Sequence, residues 1–124
     1  LGLIPASGGT WILPRLVGMA RAKGLAMLGP KVSAEQALDW GMIWQVVEDD
    51  ELQATALSLA EQMATQPTRG FAFTKQAFAA SAANTLDQQL ELEKELMRAA
   101  GKTADYREGV AAFLEKRTPE YRGE

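Results

Sequence analysis

Helical spacing of apolar residues runs through almost the whole of this 124-residue chain, and only one segment is typical of a strand. That segment, residues 42–47, is rich in β-branched and aromatic side chains and directly follows Gly41. One or two short strands are too few for a self-contained parallel sheet. The sequence therefore predicts a mainly α chain.

Capping and stop residues divide the helical pattern into segments. Ser33 and Thr85 are each followed three residues later by a glutamine, the spacing of a capping box. Glycines at positions 18, 29, 41 and 101 are typical of helix ends. We expect helices over about residues 9–17, 19–28, 34–40, 51–65, 68–80, 86–100 and 104–116.

The chain contains neither histidine nor cysteine. This excludes thiolate chemistry, disulfides, the commonest general base and the commonest zinc ligand for these residues. Proton transfer within the chain would need a carboxylate, a lysine, a tyrosine or water, and we expect no metal site. A net charge of −3 argues against nucleic acid or an anionic membrane as the main partner.

The first residue is leucine, inside an apolar run, which predicts that the chain is the later part of a longer protein. Its apolar runs are shorter than the roughly 20 residues that span a bilayer. It does not open with the basic and apolar regions of a signal peptide. We expect a cytoplasmic protein without a membrane partner.

The opening stretch is the strongest local candidate for a site. Pro5 ends the apolar run, and Gly8 and Gly9 precede the first expected helix. Glycines let a backbone approach a ligand closely, and the free N–H groups of a helix start favour negative charge. On turn chemistry alone, a plain tight turn is favoured over a site.

Two other clusters have a structural and a functional interpretation. Arg15, Arg21 and Lys23 form a basic cluster, for which a solvated face is favoured over a phosphate contact. Phe71 and Phe78 share one helical face, for which core packing is favoured over a cofactor site.

Three blocks of sequence resemble the crotonase superfamily, the enoyl-CoA hydratases and isomerases. The first is Gly2-Leu3-Ile4-Pro5, then Gly8-Gly9-Thr10 and Leu13-Pro14-Arg15; the others are residues 33–47 and 107–117. The second block, with its two tryptophans, is most similar to the isomerases that act on ring-1,2-epoxyphenylacetyl-CoA in phenylacetate degradation.

The resemblance implies a fold and a division of the chain. It implies the C-terminal half of the α/β crotonase (ClpP/crotonase-like) spiral, followed by a helical region that drives assembly of homotrimers or of hexamers made from two trimers. Residues 1–50 would end the spiral core beside the active site, and residues 51–124 would be the oligomerisation region. The oxyanion hole and most of the CoA surface would lie upstream, so we expect the isolated chain to be inactive.

The resemblance also implies an acyl-CoA substrate, with the CoA thioester as substrate and no separate cofactor. Three functions remain open. The first is isomerisation of 1,2-epoxyphenylacetyl-CoA through an enolate held in the oxyanion hole. The second is enoyl-CoA hydration in fatty-acid β-oxidation, and the third is a helical oligomerisation module with no chemistry of its own.

The candidate site residues follow from the same resemblance. Ala6 occupies the position where the isomerase branch commonly carries an aspartate acid/base, whereas hydratases usually carry a small residue there. Ala6 is thus compatible with a hydratase-type site, an inactivated isomerase or a deliberate substitution. Substrate contacts are expected from Ile4, Pro5, Gly8, Trp11, Met97, Phe113 and Lys116. For Lys116, a solvated helix end stabilised by the helix dipole is an equal alternative.

Overall fold

The computed structural model describes residues 2–124. Over this range the chain forms seven helices and no strand. The helices are α1 (Gly9–Val17), α2 (Met19–Leu28), α3 (Ala34–Asp39), α4 (Leu52–Ala64), α5 (Thr68–Ser81), α6 (Leu86–Ala100) and α7 (Ala104–Glu115). The expected mainly α chain is confirmed, and every expected helix is present.

The strand expected at residues 42–47 is wrong. This segment is irregular backbone that follows the end of α3. A strand is stabilised by hydrogen bonds to a neighbouring strand, and residues 2–124 supply none. The residue types at positions 42–47 favour a strand, but they carry no information on whether a neighbouring strand is present.

The predicted capping boxes are confirmed. The Ser33 Oγ accepts a hydrogen bond of 3.2 Å from the Gln36 backbone N–H, and the Gln36 side chain accepts one of 3.1 Å from the Ser33 N–H. Thr85 and Gln88 exchange the same two bonds at 3.3 and 2.9 Å. Each box pairs two N–H groups that the helix itself leaves unbonded, which explains where α3 and α6 begin.

The chain forms two compact units, one ending at Leu52 and the other running from Gln53 to Glu124. In the first unit, α1 packs against α2, and Gly18 separates them with a φ of 81°. Val17 on α1 and Ala22 on α2 are buried. The start of α1 is thereby held in place by α2.

In the second unit, α5 packs against α6. The side chain of Gln89 on α6 donates a hydrogen bond of 3.1 Å to the Ala77 carbonyl on α5. Asn84, in the turn between the helices, donates to the Gln89 side chain at 3.0 Å. Ala112 on α7 is also buried.

Apolar side chains in both units are widely exposed. Among the described residues, the buried apolar side chains are limited to Val17, Ala22 and Ala112. Large apolar side chains on α6 and α7 are mostly exposed, including Leu86, Met97, Phe113 and Leu114. None of the helices in the described part of the chain has the length and apolar character needed to cross a membrane.

Candidate functional site

The turn that begins α1 brings together three of the predicted site residues. The Gly9 N–H donates a hydrogen bond of 3.0 Å to the Ala6 carbonyl, which closes the turn. Ser7 and Gly8 both have positive φ, at 53° and 84°. Gly9 lies so close to Pro5 that a β-carbon on Gly9 would approach the Pro5 β-carbon to 3.3 Å. The glycine pair therefore serves a tight turn with close backbone packing.

A groove of about 400 Å³ lies between this turn and the α1–α2 pair. Its walls are almost entirely apolar, and Lys23 is its one charged lining residue. The lining includes Ile4 and Pro5 but not Trp11. The groove is lined by Leu3, Ile4, Pro5, Gly9, Thr10, Leu13, Pro14, Met19, Ala22, Lys23, Ala26 and Met27.

Trp11 is covered on one face by an arginine. The guanidinium carbon of Arg15 lies 3.7 Å from the centre of a Trp11 ring, and Arg15 Nη1 donates a hydrogen bond of 2.8 Å to the Trp11 carbonyl. Arg21 similarly lies over Trp40 at 5.4 Å. Both arginines are exposed, as expected for a solvated face, and each also makes a cation–π contact. The sequence analysis missed these contacts, although the spacing of four between Trp11 and Arg15 was a usable signal.

The chemistry available at the turn is limited by Ala6. Its side chain is a methyl group, which cannot donate or accept a proton. Ser7 beside it is exposed and has a hydroxyl, but an unactivated hydroxyl is a poor base and a poor nucleophile. The turn can position a substrate and favour negative charge at the start of α1, but it supplies no efficient acid/base group.

In the second unit, Met97 and Phe113 line two neighbouring grooves. Met97 lines an apolar groove of about 640 Å³ between α5 and α6, and Phe113 lines one of about 430 Å³ beside α7. Both grooves are bordered by Pro67, Gly70 and Ala100. The Met97 and Phe113 side chains are 75% and 83% exposed, so both can contact a ligand or another chain.

The first groove also contains the predicted aromatic pair. Phe71 and Phe78 both line it, which agrees with their placement on one helical face. Phe78 is 75% exposed, so the expectation that it packs in a core is wrong. The described residues leave the α5–α6 groove open, and Phe78 therefore forms part of its surface.

Lys116 lies at the C-cap of α7 and lines neither groove. Its backbone is left-handed, with φ 56° and ψ 40°. Its N–H bonds to the carbonyls of Ala112 and Phe113, and the next N–H, of Arg117, bonds to Ala112. Lys116 is thus at the point where the chain leaves the helix and reverses direction.

Arg117, just beyond the end of α7, pairs with Glu108 on that helix. Its Nη1 and Nη2 donate to the two carboxylate oxygens of Glu108 at 2.5 and 2.9 Å, and its Nε donates to Glu115 at 2.6 Å. The backbone N–H of Glu120 also donates to Glu108. The Arg117 hydrogen bonds, followed by the Glu120 bond, lower the pKa of Glu108 from 4.5 to about 2. The same ion pair raises the pKa of Arg117.

The C-terminal tail, residues 117–124, continues back along α7. Asp105 is buried, and its two carboxylate oxygens accept hydrogen bonds of 2.7 and 2.9 Å from the backbone N–H groups of Arg122 and Gly123. The Asp105 N–H donates in turn to the Glu124 carbonyl. The sequence did not predict this docking of the tail. Its partners lie 17 and 18 residues away, a separation that no local pattern reveals.

Within residues 2–124, no cluster of three or more histidine, cysteine, aspartate or glutamate side chains is arranged to hold a metal ion. The carboxylates of Asp105 and Glu108 are already bonded to the tail. The candidate site therefore consists of two surfaces, one in each unit: the turn at the start of α1, and the grooves with Lys116 in the second unit.

Comparison with known proteins identifies the family. The family described as Enoyl-CoA hydratase/isomerase matches residues 1–124, which is the whole chain. The chain therefore belongs to the enoyl-CoA hydratase/isomerase family. The resemblance drawn from its three sequence blocks is confirmed.

Individual relatives are similar over almost the full chain. The 1,2-epoxyphenylacetyl-CoA isomerase of Escherichia coli is 60% identical over 123 residues, covering 99% of this chain and 47% of that protein. A Rhodobacter capsulatus protein named "Probable enoyl-CoA hydratase" is 47% identical over 123 residues, covering 99% of this chain and 48% of that protein. The crystal structure of the enoyl-CoA hydratase from Bacillus anthracis has a TM-score of 0.92 and 37% identity, covering 99% of this chain and 48% of that one.

The chain spans about half the length of the curated relatives it matches. The fold agrees with this, since the solved structure has a crotonase-type fold of which this helical chain matches about half. The roles predicted for Ala6, Met97, Phe113 and Lys116 stay predictions.

Proposed function

We propose that the intact protein is an acyl-CoA isomerase that converts ring-1,2-epoxyphenylacetyl-CoA into its oxepin isomer in phenylacetate degradation. The observation that carries this proposal is the 60% identity, over 99% of the chain, to the E. coli 1,2-epoxyphenylacetyl-CoA isomerase. The chain's own surfaces would contribute substrate binding rather than proton transfer.

The mechanism divides between this chain and the rest of the intact protein. Two backbone N–H groups outside the chain would hold the thioester oxygen as a carbon beside the carbonyl loses a proton and an enolate forms. The bond between the two epoxide carbons then breaks, which expands the six-membered ring to the seven-membered oxepin. The proton is returned to the ring, so the reaction neither gains nor loses atoms. A carboxylate outside the chain would move the proton, because the methyl group of Ala6 cannot.

The turn at the start of α1 would position the acyl group. Ile4 and Pro5 supply an apolar surface beside Ala6, and Gly8 lets the backbone turn sharply enough to bring this surface to the start of the helix. Trp11 does not line this groove and would contact the substrate outside it. The absence of a side chain beyond Cβ at position 6 leaves room for a ring at this point.

The second unit would bind the CoA part of the substrate. Met97 and Phe113 present exposed apolar surface suited to the adenine ring, and the ammonium of Lys116 suits a phosphate. Two features support a ligand-binding role for these side chains. Both apolar residues line open grooves, and Lys116 occupies a backbone conformation that a smaller residue would adopt more easily. The CoA thioester is the substrate, and the proposed reaction requires no separate cofactor.

Enoyl-CoA hydration in fatty-acid β-oxidation is the second candidate. Ala6 favours it, because a small residue at this position is the usual pattern of hydratases. The 47% identity to the R. capsulatus protein named as a probable enoyl-CoA hydratase also supports it. A purely structural oligomerisation module remains the third interpretation, and it best describes the 124-residue chain in isolation.

Assembly into a homotrimer, or a hexamer of two trimers, is part of the proposal. The exposed apolar side chains of α6 and α7 support it, since surfaces of this kind are normally covered by another chain or segment. We also propose a cytoplasmic location, where the CoA thioesters of such a pathway would be available.

The test is a comparison of kcat/KM for two substrates with the intact protein. We expect turnover of 1,2-epoxyphenylacetyl-CoA to exceed hydration of crotonyl-CoA by at least about 100-fold, a difference of roughly 3 kcal/mol in transition-state stabilisation. A preference for crotonyl-CoA would favour the hydratase. No turnover of either substrate would favour the structural module.

A further inference from the structure

Lys116 adopts an unusual backbone conformation. It is one of two residues other than glycine with positive φ in the described chain, and it sits at the end of α7. The left-handed region costs free energy for any residue with a β-carbon, and glycine or asparagine is the usual choice at this position of a helix. Lysine is therefore not the residue type that this conformation favours.

The residues that follow Lys116 are fixed to the helix by side-chain bonds. Arg117 bonds to both carboxylate oxygens of Glu108, and the Glu120 N–H bonds to the same carboxylate. The Arg117 N–H also bonds to the Ala112 carbonyl. Through these bonds a single carboxylate on α7 fixes the chain at two points beyond Lys116.

A strained backbone conformation persists only where several independent contacts in the surrounding structure fix it. At Lys116, main-chain hydrogen bonds at the helix end restrain the residue itself. The Glu108–Arg117 ion pair restrains the residue that follows it. Among the described residues no ion pair engages the Lys116 ammonium, whereas Arg117 is paired twice. The two adjacent cations therefore differ in their contacts: carboxylates hold Arg117, and none of the described ion pairs holds Lys116.

We propose that Glu108 and Arg117 are positioning residues that hold Lys116 in its left-handed conformation and thereby direct its ammonium towards the phosphates of coenzyme A. The inference rests on the proposed function for the identity of the ligand. It extends that function by giving a positioning role to Glu108 and Arg117, which need not contact the substrate. The planar guanidinium of Arg117 suits this role, because its N–H groups can bind both oxygens of a carboxylate in one fixed orientation.

The first measurement is independent of the ligand. The ¹³C chemical shifts of Lys116, recorded in the intact protein with labelled lysine, report its backbone conformation. We expect Glu108→Gln and the milder Arg117→Lys to shift Lys116 out of the left-handed conformation. Glu91→Gln is the matched control, since it breaks an exposed ion pair with Lys94 on α6. A Lys116 signal unchanged in both test variants overturns the inference.

The second measurement is the dissociation constant for coenzyme A, with 3′-dephospho-coenzyme A as the comparison probe. We expect Lys116→Ala to weaken binding about tenfold, the size of one charge-assisted hydrogen bond. Glu108→Gln should weaken it about threefold on its own and by less than about 1.5-fold in the Lys116→Ala background, the non-additivity of residues that act together. Equal effects of Glu108→Gln in both backgrounds contradict the positioning role.

The two probes separate this inference from the proposed function. If Lys116 contacts the 3′-phosphate, the penalty of Lys116→Ala should disappear with the dephosphorylated probe; a penalty that persists places Lys116 at the pyrophosphate, which the proposal also accommodates. A parent protein that binds neither probe overturns the proposed function and the ligand named here. The chemical shift of Lys116 then still decides whether Glu108 and Arg117 hold its conformation.

Discussion

The buried carboxylate of Asp105 accepts a hydrogen bond of 2.9 Å from the backbone N–H of Gly123, eighteen residues further along the chain. Its other oxygen accepts the N–H of Arg122 at 2.7 Å. One side chain in the first turn of α7 therefore binds two successive N–H groups of the C-terminal tail. This fixes the tail against the helix that carries Phe113 and ends at Lys116.

Gly123→Ala should destabilise the protein by about 2–3 kcal/mol. Gly123 has a φ of 77°, where a β-carbon costs roughly 1–2 kcal/mol. That β-carbon would also lie 2.5 Å from Thr68 Oγ1, so the threonine side chain must move. Urea unfolding of the intact protein measures the change. In a Thr68→Ala background the cost should fall to that of the backbone strain alone.

Gly24→Ala is the control for that experiment. Gly24 lies inside α2, and a β-carbon there would meet no heavy atom within 4 Å. Alanine is favoured over glycine in a helix by roughly 0.5–1 kcal/mol, so this variant should be slightly more stable than the parent. Equal effects of the two substitutions would mean that the tail does not dock as described.

The Glu108–Arg117 ion pair should make stability depend on pH in the acid range. The pKa of Glu108 in the folded chain is about 2, below its ordinary 4.5. The stabilisation is therefore complete above pH 4.5 and is lost as the pH falls towards 2. Glu108→Gln should remove this part of the pH dependence, seen as converging urea midpoints of parent and variant below about pH 4. Parallel curves for the two proteins would show that the ion pair does not contribute.

Ala6→Asp in the intact protein should increase double-bond isomerisation of an enoyl-CoA. The new carboxylate would lie at the turn that begins α1, beside Ile4 and Pro5. A positioned acid/base typically contributes on the order of 10²–10⁴-fold to a rate. The assay compares parent and variant, with Ala6→Asn as a control of similar size that cannot act as a base. If Ala6→Asp stays within about threefold of the parent while folded, the proton is moved entirely by residues outside this chain.

The helices α6 and α7 should mediate self-association. Leu86 and Leu90 on α6 are 73% and 53% exposed, so replacing both with glutamate should reduce the mass of the assembly. Leu57→Glu on α4 is the control, since Leu57 is equally apolar and exposed but lies on a helix outside the proposed interface. Sedimentation at roughly tens of micromolar measures the mass. A monomeric parent would contradict the proposed assembly.

The helices could be predicted because their signals are local. Gly18 and Gly29 set the ends of α1 and α2, and the capping boxes at Ser33 and Thr85 set the starts of α3 and α6. Each depends on residues within one turn, which the sequence displays directly. The strand at residues 42–47 failed because pairing depends on a partner elsewhere.

The candidate site could be predicted only in part. The turn at Ala6 and Gly8 follows from its glycines, but the bond between Asp105 and Gly123 joins residues too far apart for any periodic pattern. Lys116 was recognised as a candidate by resemblance, whereas its left-handed backbone and its link to Glu108 through Arg117 required coordinates. The groove that contains Phe78 likewise required the packing of α5 on α6.

The most direct test of the proposed function is the mass of the product formed by the intact protein from 1,2-epoxyphenylacetyl-CoA in ¹⁸O-labelled water. Isomerisation rearranges bonds without adding solvent, so the product should have the mass of the substrate and carry no ¹⁸O. A hydratase or an epoxide hydrolase would add one water molecule and incorporate the label. A labelled product, or no product from a folded and intact protein, would contradict the proposal that this is an acyl-CoA isomerase.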